Sequence, residues 1–177
     1  MKKYFILILI FFINYNTIGQ KKVSKYEITC EIKLTEIEKD IDSMITKTCL
    51  FKNYKTISTG TPDYKGRYFY EYEVLKFING KYIKIKNSEL FSNSTKIEKI
   101  INEKLKLEYE SNMKITEISD CMKYIKLRFY SIDEMGISFD EYNNMVFNID
   151  FDIPSFCLNV SGSSVEISFS EIEKYIK

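Results

Sequence analysis

Tyr68-Phe69-Tyr70-Glu71-Tyr72-Glu73-Val74-Leu75-Lys76-Phe77-Ile78, then Asn79-Gly80, then Lys81-Tyr82-Ile83-Lys84-Ile85-Lys86: the fold turns on this stretch. Aromatic and β-branched residues dominate both arms, as they do in strands. Asn-Gly between two such runs is the strongest short-range hairpin signal, because a type I′ turn needs positive φ at both central positions. A two-residue turn pairs Phe77 with Tyr82, Val74 with Ile85 and Glu73 with Lys86. All three are favourable cross-strand pairs.

Toward the N-terminus, Tyr26, Ile28, Cys30, Ile32 and Leu34 alternate with Glu27, Thr29, Glu31 and Lys33. That is the pattern of a half-buried strand, with Cys30 facing inward. Thr35-Glu36-Ile37-Glu38 has the form of a capping box. Ile37, Ile41, Met44 and Ile45 follow it at helical spacing, so a helix is expected from Glu36 to about Lys47, with Cys49 just beyond. Thr56 to Gly66 reads as loop, since Gly60, Pro62, Asp63 and Gly66 punctuate it.

Toward the C-terminus, a helix is expected from Asn93 or Ser94 to about Tyr109, with Ile97, Ile100, Ile101 and Leu105 as its apolar stripe. Lys114 to Met122 is ambiguous. Tyr124, Lys126, Arg128 and Tyr130 oppose Ile125, Leu127 and Phe129, which suggests a strand. Gly136–Phe139 reads as a short strand and Tyr142-Asn143-Asn144 as a turn. Met145, Phe147, Ile149, Phe151 and Ile153 take one face of the next strand, which Pro154 ends. A loop through Gly162 leads to a last strand at Val165, Ile167 and Phe169. Ser170 and Glu173 form a second capping box for a short final helix. The order is β-α-β-β-α-β-β-β-β-α, without regular βαβ units. It predicts a single α+β domain with a mainly antiparallel sheet, two longer helices and a short C-terminal helix.

The chain opens with Lys2 and Lys3, an apolar run from Phe5 to Ile13, and small residues in Thr17-Ile18-Gly19. This is the anatomy of a secretory signal peptide. The run is too short to span a bilayer, which takes about 20 apolar residues. Cleavage after Gly19 would leave residues 20–177 as one domain, periplasmic or extracellular, with no stable membrane span. No cysteine lies near the cut, so a lipid anchor is not expected. Losing Lys2 and Lys3 takes 26 basic residues to 24, against 25 acidic ones. Such a near-neutral chain has no electrostatic footprint for nucleic acid.

Histidine is absent. That removes Ser-His-Asp and Cys-His nucleophile pairs, histidine proton shuttles and histidine metal ligands. No phosphate-cradling glycine loop and no G-x-S-x-G elbow occur. No catalytic, cofactor-binding or metal-binding residue is assigned, and no cofactor is expected. Cys30, Cys49, Cys121 and Cys157 all lie in the exported part, where disulfides form. Four cysteines allow three connectivities, and spacing alone does not choose. The pairing of near neighbours, Cys30–Cys49 and Cys121–Cys157, is the working expectation; buried free thiols are the alternative.

Asp133, Glu134, Asp140, Glu141, Asp150 and Asp152 crowd into twenty residues. Asp140, Asp150 and Asp152 make the candidate acidic patch. Paired carboxylates can hydrolyse glycosides, and clustered ones can hold calcium. A solvated strand face with polar turns is the plainer reading. Asn93-Ser94-Thr95 and Asn159-Val160-Ser161 match glycosylation sequons.

One longer string of features runs through the second half. It comprises Asn79-Gly80-Lys81, Ile83-Lys84-Ile85, Glu89-Leu90-Phe91, the Ile100–Leu107 helix, Phe129-Tyr130, Asp133 and Gly136-Ile137-Ser138-Phe139. It ends with Phe151-Asp152-Ile153-Pro154, Gly162, the Val165–Ile172 segment and Tyr175-Ile176. Over about residues 79–177 this is similar to the extracytoplasmic C-terminal domain of the RsiV anti-sigma factors, which also occurs in some peptidoglycan deacetylases. The chain departs from that family at Phe151 to Phe156, where the family loop carries two tyrosines, and around Glu141 to Asn144. It also lacks a cytoplasmic sigma-binding region, so no anti-sigma role follows. The resemblance implies an envelope setting and a non-catalytic module that binds a protein or cell-wall ligand. The RsiV domain itself binds lysozyme. An envelope structural or assembly protein is the alternative, and a carboxylate-based glycan hydrolase a more distant one.

Overall fold

The hairpin forms as its sequence dictates. In the computed structural model, which describes residues 27–36, 43–63, 67–114, 120–121, 123–151, 157 and 162–177, β4 (Tyr68–Ile78) pairs antiparallel with β5 (Lys81–Lys84). Asn79 and Gly80 take φ of 50° and 83°, as the turn requires. Phe77 lies opposite Tyr82, with ring centroids 5.1 Å apart. The ladder ends at Lys84, although Ile85 N–H still donates to Val74 O. Glu73 therefore pairs with Lys84, at 2.8 Å, and not with the expected Lys86.

The hairpin closes a five-stranded antiparallel meander ordered β1-β2-β3-β4-β5. β1 is Ile28–Glu36, as its alternation predicts. The helix expected from Glu36 to Lys47 is overturned where it is described: Glu36 ends β1, and Ser43 to Lys47 belong to β2 (Ser43–Phe51). Ile45, Lys47, Cys49 and Phe51 also alternate with Thr46, Thr48 and Leu50, and ladder bonds to two neighbours outweigh a helical spacing of four apolar residues. The helix expectation for Ile37 and Ile41 lies outside the described residues.

The loop expected from Thr56 is β3 (Tyr54–Pro62), the central strand of the sheet. Gly60 breaks nothing here. A Cβ on it would come within 2.6 Å of the Tyr70 ring, which would have to move to admit a side chain. Pro62 closes the strand, where its missing N–H is tolerated.

A second, three-stranded sheet holds β6 (Gly136–Phe139), β7 (Asn144–Asp150) and β8 (Gly162–Ser168) in that order. Ile137, Phe139, Met145, Phe147, Ile149, Val165 and Ile167 are buried. They share one face of this sheet by register. The helix α1 (Ser94–Asn112) is N-capped by Asn93, whose side chain accepts from Lys96 N–H. It buries Ile97, Ile101 and Leu105. Burial of each such side chain contributes roughly 1.5–3 kcal/mol.

β6 lies across the inner face of the meander. Phe139 O sits 3.2 Å from Cys49 Sγ. Gly136 lies under Tyr72, whose ring a Cβ would approach to 2.1 Å. Phe51 joins the layers, with ring centroids 4.5 Å from Phe169 and 5.9 Å from Phe139.

Two further expectations change. Tyr124 sits in a turn, and Ile125 to Tyr130 have no regular structure and join no ladder among the described residues. The final helix is Phe169–Ile172, capped by Ser168 and not by Ser170; Ser168 Oγ accepts from Ser170 N–H. The architecture is two antiparallel sheets with few helices, of which α1 is the long one among the described residues. The expected leader and its cleavage after Gly19 lie outside the described residues, as does the proposed strand end at Ile153 and Pro154.

Candidate binding cleft

Cys30 and Cys49 face each other across the β1–β2 ladder and are bonded. Cys121 and Cys157 form the second disulfide. Near-neighbour pairing is thus the observed connectivity. Disulfides fit a non-cytoplasmic setting. Among the described residues, no helix is long and apolar enough to cross a membrane.

The acidic residues disperse into separate tasks. Asp140 is 9% exposed. It clasps the β6–β7 turn by accepting from Tyr142 N–H, Asn144 N–H and Asn144 Nδ2. Asp133 accepts from Ser88 N–H and Ser88 Oγ, joining two connectors. Glu134 accepts from both guanidinium nitrogens of Arg128 and from Ser131 N–H. The Arg128 hydrogen bond, with help from Ser131, holds Glu134 down to about 2. Glu134 in turn raises the Arg128 guanidinium.

Asp150 ends β7 at the opposite end from Asp140. Six residues of strand rise separate it from Asn144, about 20 Å. That exceeds the roughly 5–9.5 Å that separates glycosidase carboxylates. Asp140 and Asp150 therefore form no joint patch. Asp152 lies outside the described residues. No group of three metal-ligating side chains occurs among the described residues.

What Asp150 does join is a cleft that the sequence did not single out as a site. A cavity of about 300 Å³ is lined by Tyr124, Ile125, Lys126, Arg128, Tyr130, Asp150 and Phe151. Tyr124, Lys126, Arg128 and Tyr130 line it together with Ile125, so the cleft does not follow the strand alternation read in the sequence. In place of a neighbouring strand, α1 holds the segment: Tyr130 N–H donates to Asn102 Oδ1, and Asn102 Nδ2 donates to Tyr130 O.

The cleft combines aromatic surface with charge. The Arg128 guanidinium lies 4.2 Å from the Tyr130 ring centroid, close enough for cation–π attraction. Tyr130 and Phe151 pack at 6.4 Å. Tyr124 is 42% exposed and offers its ring to solvent. Burial raises Tyr130 above the ordinary phenol value. Asp150 is exposed as a residue, yet desolvation lifts its carboxyl above the ordinary range. Its neighbour Tyr72 is pushed up to about 12, chiefly by burial and then by the Asp150 and Tyr70 charges. Rings beside fixed charges suit ligands that present flat apolar faces and polar groups together.

From Tyr72 a row of rings runs along β4. Tyr72 and Tyr70 centroids lie 6.3 Å apart, and Tyr70 and Tyr68 lie 6.2 Å apart. No protein-family model matches this chain, and no curated protein matches it.

Proposed function

We propose that this protein is an exported, non-catalytic binding module of the bacterial envelope, and that the Tyr124–Tyr130 cleft is where it holds a protein or cell-wall ligand. One observation carries the reading: aromatic rings and Lys126, Arg128 and Asp150 converge on a single cavity. Carboxylate-bearing glycan peptides offer sugar faces to the rings and acids to Lys126, while Arg128 is held by Glu134. Two disulfides suit life outside the cytoplasm. The leader-like N-terminus and the likeness to the RsiV extracytoplasmic domain support the same setting.

The test is co-sedimentation with purified peptidoglycan and pull-down of lysozyme and of envelope extract. Binding to one of these that Tyr124→Ala and Lys126→Glu both weaken supports the reading. No binding to any of the three contradicts it. A second reading, an envelope assembly protein, is favoured by the open edge of the five-stranded sheet.

A further inference from the structure

We propose that β1 is a pairing edge for a second copy of this chain, the two strands running antiparallel about a two-fold axis at Ile32. β1 is an outer strand of the meander and has no partner on its other side among the described residues. Residues 31–35 are all exposed, Ile32 to 64% and Leu34 to 65%. A nine-residue edge strand that exposes Ile32 and Leu34 is a template for pairing unless something guards it.

The backbone is oriented for it. Cys30 and Cys49 lie opposite each other with Cα atoms 4.1 Å apart. That is the close class of antiparallel pair, which exchanges no hydrogen bonds. The N–H and C=O of Cys30, and by alternation those of Ile28, Ile32 and Leu34, therefore point away from β2 toward the open edge. A two-fold axis at Ile32 sets these same positions against one another, Ile32 on Ile32 and Leu34 on Cys30 of the second copy.

Charge selects the register. With the axis at Ile32, Glu31 lies opposite Lys33 of the second copy, and Lys33 opposite its Glu31. Thr29 meets Thr35. Both are favourable cross-strand pairs. Moving the axis to Glu31 puts Glu31 on Glu31, and moving it to Lys33 puts Lys33 on Lys33. A lone lysine would guard this edge, but Glu31 supplies its counter-charge. The closed two-fold product is a continuous ten-stranded sheet, the commonest oligomer symmetry.

The pairing is independent of the cleft and is tested separately. Light scattering across a concentration series, on the exported protein with both disulfides intact, should show a dimer. Glu31→Lys and Lys33→Glu should each weaken it about tenfold or more. The double variant E31K/K33E should restore it, and mixing the two single variants should give heterodimers. Circular dichroism checks that each variant is folded, as expected for exposed side chains. A wild type that stays monomeric at every concentration overturns the proposal. So does a dimer indifferent to both single charge changes.

Discussion

The side-chain amide of Asn102 closes two hydrogen bonds on the backbone of Tyr130, at 2.8 Å from the N–H and 2.9 Å to the carbonyl. One side chain thus does what a ladder strand would do for this residue. Tyr130 is buried, so its backbone groups cannot turn to water instead. Asn102→Ala leaves both unsatisfied, each costing about 1–3 kcal/mol. Urea unfolding should show a loss of about 2–4 kcal/mol, and any ligand held in the cleft should bind less tightly. A loss below about 0.5 kcal/mol would mean that the segment is held by something else.

Gly136 predicts a packing cost. A Cβ at this position meets the Tyr72 ring at 2.1 Å, and β6 is pinned against the meander there. Gly136→Ala should destabilise by about 1–3 kcal/mol, the range for overpacking. Combining it with Tyr72→Ala should recover part of that loss. Additive losses in the double variant would show that the two residues do not press on each other.

The Cys30–Cys49 bond closes a sequence separation of 19 residues. Loss of it through Cys30→Ala with Cys49→Ala should lower stability by about 2–4 kcal/mol. Intact mass of the protein purified without reductant should show two hydrogens fewer per bond than the reduced chain. A fully reduced mass would contradict both the pairing and the proposed setting.

Two carboxylates make opposite pH predictions. Glu134 is held down to about 2 by Arg128 and Ser131. What it contributes is present above the unfolded carboxylate pKa of about 4.3 and is lost as pH falls toward 2. Asp150 is raised by desolvation. Its favourable neutral form is present below the unfolded value and is lost as pH rises through the folded one. Asp150→Asn should therefore be more stable than wild type at neutral pH and about equal to it in acid. Arg128→Gln should return the Glu134 titration, followed by NMR, toward the ordinary carboxylate value. An unchanged Glu134 titration would show that the hydrogen bond does not govern it.

The parts of the fold that were legible carry local chemistry. Asn79-Gly80 announced its hairpin because the turn demands positive φ. Asn93 capped its helix as such residues do. The β2–β3 hairpin was hidden because its turn is Lys52-Asn53, without glycine, and Lys52 still takes a φ of 53°. Gly60 looked like a breaker, but its role is set by the Tyr70 ring on the neighbouring strand. Tyr124–Tyr130 alternates like a strand, and only the tertiary structure supplies Asn102 in place of a ladder.

The cleft was half legible for the same reason. The spacing of Tyr124, Lys126, Arg128 and Tyr130 could be read along the chain. Asp150 and Phe151 join them only because β7 ends beside them. The acidic cluster misled in the opposite sense. Closeness in sequence brought Asp140 and Asp150 together on paper, and a strand of intervening residues holds them apart.

Chemical-shift mapping by NMR tests the cleft most directly. Labelled protein with both disulfides intact would be titrated with soluble peptidoglycan fragments and, separately, with lysozyme. The account predicts saturable shifts at Tyr124, Lys126, Arg128 and Phe151 with at least one of them, abolished in Tyr124→Ala. Shifts confined to other surfaces, or none with either probe, would contradict it.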